Sequence, residues 1–144
     1  MVKIRLLKDN DWIIVKPWLY ELAKESFGKV IPSILEKKIQ EDYQKEPEGF
    51  VVSEDDSSRK VNGLLWFSTF PEKKSAFIHA IYVNPLYRGK GVSDSLMDYL
   101  EKYCKKRNLE NIELNATVGL EYAIRFYQRR GFEIKRYFMS KRVE

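Results

Sequence analysis

The stretch VNPLYRGKGVSDSLMDYLEKY, residues 83–103, restricts most strongly what this chain can fold into. An apolar run rich in strand-forming residues, SAFIHAIYV (75–83), stops at Asn84-Pro85. Gly89 and Gly91 follow within three positions, and Val92, Leu96, Leu100 and Cys104 then recur every four residues. This order predicts a strand, a glycine-rich turn and a helix over 89–107. A plain surface turn does not need two glycines at the mouth of a helix. A helix start carries unpaired N–H groups and a partial positive charge, and phosphate oxygens bind there readily. Gly89 and Gly91 give the backbone clearance and freedom to adopt positive φ. Arg88 and Lys90 add positive charge beside them.

Elements of both kinds flank this unit. VKIRLLK (2–8) alternates as a strand does, and DND (9–11) offers a helix cap. Val15, Trp18, Leu19, Leu22 and Ala23 share a helical face, with Pro17 expected to start or kink that helix. SFGKVIPS (26–33) interrupts it. Pro32 suits the first turn of a second helix lined by Leu35, Ile39 and Tyr43, which PEG (47–49) ends. FVVSE (50–54) and VNGLLWFSTF (61–70) flank the polar turn DDSSRK as a hairpin. NIELNA (111–116) reads as a strand, and GLEYAIRFYQRR (119–130) as a helix stopped by Gly131. FEIKRYFMSKRV (132–143) is expected to close the chain as strand, in two segments. The predicted order, β-α-α-β-β-β-α-β-α-β, implies an α/β chain with a central mixed sheet flanked by helices.

With 144 residues and 44% apolar composition, one domain spanning 1–144 is expected, with a sizeable core and no disorder. No apolar run reaches the roughly 20 residues of a membrane helix, and the N-terminus carries no signal-peptide core. The single cysteine fits a reducing cytoplasm. The net charge of +5 suits an anionic ligand or simple solubility. KYCKKR (102–107) has the look of an RNA patch, but cations also stabilise a helix C-terminus, and the aromatic residues show no stacking motif. Nucleic acid is therefore not the expected partner, and no metal-ligand set is read. Cys104 lies on the apolar helical stripe and is read as packing. Whether the chain is a monomer or a homodimer is not encoded in any pattern.

Three phosphate-binding motifs compete for residues 88–94. The P-loop string is absent. The dinucleotide fingerprint G-x-G-x-x-G matches at Gly89 and Gly91, and Glu113 lies at about its expected downstream distance, but Asp94 stands at the third glycine. The third motif, R/Q-x-x-G-x-G/A after a strand, fits Arg88 to Ser93, with Ser93 in place of the last small residue. Here the sequence resembles the GNAT acetyltransferase superfamily. AIRFYQRRGFE (123–133) is similar to that superfamily's A-I-x-x-Y-x-x-x-G-F signature, and the two stretches stand in its order. The specific motifs span about residues 75–135, and the element order matches over nearly the whole chain.

The resemblance implies an N-acetyltransferase that moves an acetyl group from acetyl-coenzyme A to a primary amine by direct transfer. It implies a pyrophosphate on the N–H groups of Arg88, Gly89, Lys90, Gly91, Val92 and Ser93. A pantetheine arm would run along Ile81, Tyr82 and Val83, whose backbone would also hold the acetyl oxygen. Ser93 could reach a phosphate or cap the helix, and Asp94 is expected to point away from the anion. Leu120 departs from the asparagine many members carry. Tyr127 matches the tyrosine that protonates the departing thiolate. Its spacing from Leu120, Ala123 and Ile124 equally fits a core stripe. His79, the only histidine, is a candidate base, and a lone strand histidine is also commonly structural. Glu113 and Asn115 are alternatives near the acceptor, and Phe27 is a candidate acceptor contact. Arg129 and Arg130 are read as solvated or as meeting the cofactor's anionic end. The alternative function is a coenzyme A-binding module without transfer.

Overall fold

The computed structural model describes residues 1–144. Five strands form one sheet in sequential order: β1 (Val2–Leu6), β2 (Phe50–Asp55), β3 (Val61–Phe70), β4 (Ser75–Val83) and β5 (Asn111–Leu114). The first four pair antiparallel and β5 joins β4 in parallel, so the sheet is mixed as expected. A parallel pair needs a crossover, and α3 (Val92–Lys106) supplies it. Helices α1 (Trp12–Phe27) and α2 (Pro32–Lys45) precede β2, and α4 (Glu121–Arg129) follows β5.

The sheet is apolar on both faces because helices cover both. On one face Val51, Leu65 and Phe67 pack with Leu96, Met97 and Leu100 of α3. On the other, Phe50, Val52, Leu64 and Trp66 pack with Val15 and Leu19 of α1 and Ile39 of α2. Consecutive residues of β2 and β3 thus enter opposite cores, as the two-residue period of a strand requires. Gly63 lets α3 approach closely. A Cβ there would collide with the Ser53 hydroxyl and crowd Val92 and Leu96.

On β4 the alternation breaks. Phe67 pairs with Ile78 and Trp66 with Ala80, leaving His79 as the extra residue of a β-bulge. Ala76 and Ile78 join the α3-side core, whereas Ala80 joins the opposite one. The bulge therefore switches which residues of β4 face which helices.

Several boundaries differ from the sequence reading. Helix α1 starts at Trp12, so Pro17 lies inside it. The carbonyl its missing N–H leaves free belongs to Ile13, an exposed residue. Helix α3 begins at Val92, and Gly89 and Gly91 form the loop before it. The expected strand over 132–143 is not formed. Phe132 N–H donates to Tyr127 O, but residues 133–144 make no backbone hydrogen bond. Alternation yields a strand only when an edge pairs with it and one face is covered. Here Tyr137, Phe138 and Met139 are consecutive and exposed, between the charge pairs Lys135-Arg136 and Lys141-Arg142.

Candidate active site

Pro85 ends β4, and the Asn84 side chain accepts from Leu86 N–H at 3.0 Å to shape the turn that follows. Gly89 (φ 76°) and Gly91 (φ 82°) then take left-handed conformations that other residues adopt only with strain. Gly91 is the N-cap of α3 and offers no side chain to the helix. As a result, the six consecutive N–H groups from Gly89 to Asp94 make no hydrogen bond within the protein; the first that does is Ser95, to Gly91 O at 3.0 Å. A Cβ built on Gly89 or Gly91 meets no atom within 4 Å. The glycines therefore leave open space over a row of free donors, which suits an anion with several oxygens.

A second set of free backbone groups lies next to the loop. Strand β5 pairs with β4 only over Ser75–Ile78, so the two strands part beyond the bulge. Asn84 N–H donates across to Asn62 O of β3 at 2.8 Å. By alternation, the backbone groups of Val83 and Ile81 point the other way, into the gap. The Val83 carbonyl accepts there from Arg88 Nε at 3.0 Å.

A cleft of about 220 Å³ opens beside the free side of β4, between that strand, the loop and α4. That is below the roughly 300–1,000 Å³ of enclosed ligand pockets, so only the narrow end of a long ligand would be enclosed. Its walls are Ile81, Tyr82 and Val83 of β4, Tyr87, Arg88 and Gly89 of the loop, and Val92 and Ser93 of α3. Helix α4 contributes Tyr122, Ala123, Phe126 and Tyr127; α1 contributes Leu22 and Glu25. Ten of the fourteen lining residues are hydrophobic, so a ligand here is held by apolar contact and oriented by the few polar groups.

Tyr82 stacks on Trp18 with ring centroids 5.0 Å apart, and its hydroxyl donates to Glu21 Oε2 at 2.6 Å. Burial and then Glu21 push its pKa up to about 12. Tyr127 packs edge-on to Phe126 and Phe132, with centroids at 5.5 and 5.7 Å. Burial pushes its hydroxyl up to about 12 as well, so it keeps its proton across the physiological range. Tyr127 packs against the α3-side core, as the helical stripe predicts, and also lines the cleft.

Of the residues singled out from the sequence, Ile81, Tyr82, Val83, Arg88, Gly89, Val92, Ser93 and Tyr127 come together at the cleft. Val92 is buried, so only its backbone is available there. Lys90 and Gly91 sit in the loop, Lys90 over the Tyr87 ring at 5.7 Å. Four others lie elsewhere. Phe27 is 79% exposed at the end of α1. Glu113 and Asn115 are exposed on and beyond β5, outside the cleft lining. His79 sits against α2, where Nε2 is 2.8 Å from Ser68 Oγ and 3.5 Å from Asp42 Oδ2. Burial lowers its pKa to about 4, against the pull of Asp42, so it is neutral at pH 7. The bulge explains its position. An unbroken strand would have given His79 the facing of Ile81.

One further reading changes, and the expected packing of Cys104 is seen. Arg130 is not solvated; it pairs with Asp94, Asp98 and Glu101 of α3. In KYCKKR, Arg107 stacks 3.6 Å from the Tyr103 ring and Cys104 is buried, with its thiol pushed up by that burial. The α1 contribution to the cleft had no sequence signal, because Leu22 and Glu25 reach it only once α1 lies across β4.

The fold and cleft define a class: a mixed sheet whose parallel crossover carries an anion-accepting loop, with a cleft between that loop, β4 and α4. Residues 17–132 match the Acetyltransferase (GNAT) family, and the chain belongs to it. An uncharacterized N-acetyltransferase of Methanocaldococcus jannaschii is 40% identical over 70 residues, 49% of this chain and 31% of that protein. Another from Archaeoglobus fulgidus is 39% identical over 62 residues, 43% and 42% of the two chains. The matched stretches thus span well under two thirds of these relatives. Among solved structures, Ard1 from Thermoplasma volcanium superposes with a TM-score of 0.75 at 27% identity, covering 94% of this chain and 84% of that one. A possible acetyltransferase from Clostridium difficile 630 gives 0.75 at 22% identity over 100% and 98%, a likeness of fold.

No helix is long and apolar enough to cross a membrane, and no group of three or more His, Cys, Asp or Glu side chains is placed to hold a metal ion.

Proposed function

We propose that this chain transfers an acetyl group from acetyl-coenzyme A to a primary amine, both bound together at the cleft. The observation that carries this reading is the run of six unpaired N–H groups, Gly89 to Asp94, opening beside the N–H groups of Ile81 and Val83, which point away from β3 and which β5 does not reach. A pyrophosphate fits the first set and an amide-bearing arm the second. Acetyl-coenzyme A supplies the acyl group as an activated thioester. Residues 89–94 hold its phosphates with N–H donors, and Arg88 releases the Val83 carbonyl to add its charge. Ile81 and Val83 orient the arm, and a β4 N–H donates to the acetyl oxygen, where charge develops. Leu22, Phe126 and Ala123 exclude water. Tyr127 donates a hydrogen bond from its hydroxyl to the departing sulfur. A tyrosine held near 12 is a weak acid, so it acts mainly as a hydrogen-bond donor.

The acceptor is proposed to be an amine that needs little help to lose its proton. His79 lies outside the cleft, neutral. Deprotonating a lysine amine at pH 7 costs about 4.6 kcal/mol, against about 1 for an α-amine. N-terminal α-amines are therefore expected to react faster than lysine side chains. The test is acetyl-coenzyme A turnover with peptides, lysine, polyamines and small amines, products identified by mass. Acetylated α-amines are the expected result. The position of His79 also motivates the second reading, a coenzyme A-binding module without transfer. Tight coenzyme A binding with no product from any amine would replace the first reading with it.

A further inference from the structure

Asp94 is out of place at an anion-binding turn. It is the third residue of α3, among the N–H groups that face the loop. A carboxylate there suits the helix dipole but repels phosphate oxygens at the same turn. The structure holds it aside. Asp94 Oδ1 lies 3.3 Å from Arg130 Nη1, and Oδ2 lies 3.7 Å from Arg129 Nη2. Arg130 stands at the C-cap of α4, and its Nη2 also donates to Asp98 Oδ1 at 2.6 Å and Glu101 Oε2 at 2.9 Å. Asp94, Asp98 and Glu101 follow one another along one face of α3 at spacings of four and three. One guanidinium fork therefore serves three carboxylates, the first of them in the anion-binding turn. Its side chain is 19% exposed, against 64% for Arg129, so Arg130 is the fixed member of the pair.

We propose that Arg130 is a positioning residue that makes the first turn of α3 acceptable to an anion, by turning the Asp94 carboxylate toward α4 and neutralising it. This role rests on residues 89–94 being the coenzyme A pyrophosphate cradle. The second consequence is that α4, which carries Tyr127, is fastened to the helix that carries the cradle.

Coenzyme A binding by calorimetry separates this role from a purely structural one. Arg130→Gln is expected to weaken binding about three- to tenfold at low salt, the scale of a charge at a helix terminus. The loss should shrink at high salt, where the freed carboxylate is screened. Asp94→Asn in the Arg130→Gln background should restore affinity to within about twofold of wild type. A double variant as weak as Arg130→Gln alone, or a loss that does not respond to salt, overturns the proposal. Should Arg130→Gln fail to fold, Arg130→Lys takes its place. A lysine offers one point charge for three acceptors, so a smaller loss is expected, again removed by Asp94→Asn; a loss that Asp94→Asn leaves in place overturns the role. Wild-type protein that binds no coenzyme A overturns the cradle itself and this role with it. Wild-type binding with no recovery in the double variant overturns only the role of Arg130.

Discussion

At the scale of single residues, Tyr127 and Gly91 carry the sharpest expectations. Tyr127 is both packed and poised: two aromatic neighbours fix its ring while its hydroxyl makes no hydrogen bond within the protein. Tyr127→Phe keeps the packing and removes the donor. It is expected to lower kcat about 10- to 100-fold, at or below the low end of the roughly 100- to 10,000-fold that a positioned general acid contributes, because Tyr127 acts mainly as a hydrogen-bond donor, with coenzyme A affinity within about threefold of wild type. Since the Tyr127 hydroxyl is held near 12, its ionisation should add no limb to the pH–rate profile below about pH 10. Full activity of Tyr127→Phe on an accepted substrate would remove it from the mechanism. Gly91 has φ 82° and open space above it. Gly91→Glu adds backbone strain of about 1–2 kcal/mol and puts a carboxylate in the proposed pyrophosphate cradle. A loss of coenzyme A affinity of at least about tenfold is expected, read by calorimetry, whereas an unchanged affinity excludes the cradle.

Among the elements, β4 shows how far a sequence pattern reaches. Its existence, its end at Asn84-Pro85 and the following helix with buried Val92, Leu96, Leu100 and Cys104 are all legible, because each rests on local periodicity and on proline and glycine chemistry. The bulge is not legible. Nothing in SAFIHAIYV marks His79 as the residue without a partner; the pairing with β3 decides it. His79 consequently joins Trp66, Ser68 and Asp42 instead of the cleft. The strand expected over 132–143 is absent for a different reason: residues 133–144 are exposed and make no backbone hydrogen bond, although β5 is an edge strand, so composition alone did not bring the segment to that edge. Helix α3 yields a stability prediction. Leu96 is fully buried between α3 and the sheet, and Leu96→Ala is expected to cost about 3 kcal/mol of unfolding free energy in denaturant titrations.

For the whole molecule, two buried ionisable groups divide the acid side of the stability curve. His79 is held near 4 in the folded state, while the unfolded chain takes up that proton near 6.5. The unfolded state therefore gains protons first as pH falls, and stability is lost between about 6.5 and 4, by at most about 3 kcal/mol. His79→Gln should remove this window: its stability relative to wild type rises when both are compared at pH 7 and pH 4.5. Asp11 behaves the opposite way. Burial alone would raise its pKa, but Arg5, at 2.7 Å, and the Lys8 N–H, at 2.8 Å, together outweigh this and hold it below the usual aspartate range. Its contribution persists at pH 4.5 and is lost only as pH falls below about 4. Urea titrations of wild type, His79→Gln and Asp11→Asn across pH 3–7 separate the two windows.

The sequence by itself determined the element order, the helix faces, the glycine loop at the mouth of α3 and the resemblance that residues 75–135 carry. All of these depend on neighbours within a turn or two of chain, where propensity and periodicity act directly. Tertiary structure alone decided the facing of His79, the entry of Leu22 and Glu25 into the cleft, and the pairing of Arg130 with Asp94, Asp98 and Glu101. These depend on which distant segments meet: the register of β4 on β3, the lie of α1 across the sheet, and the docking of α4 on α3. Such contacts join residues tens of positions apart, and no local pattern records them.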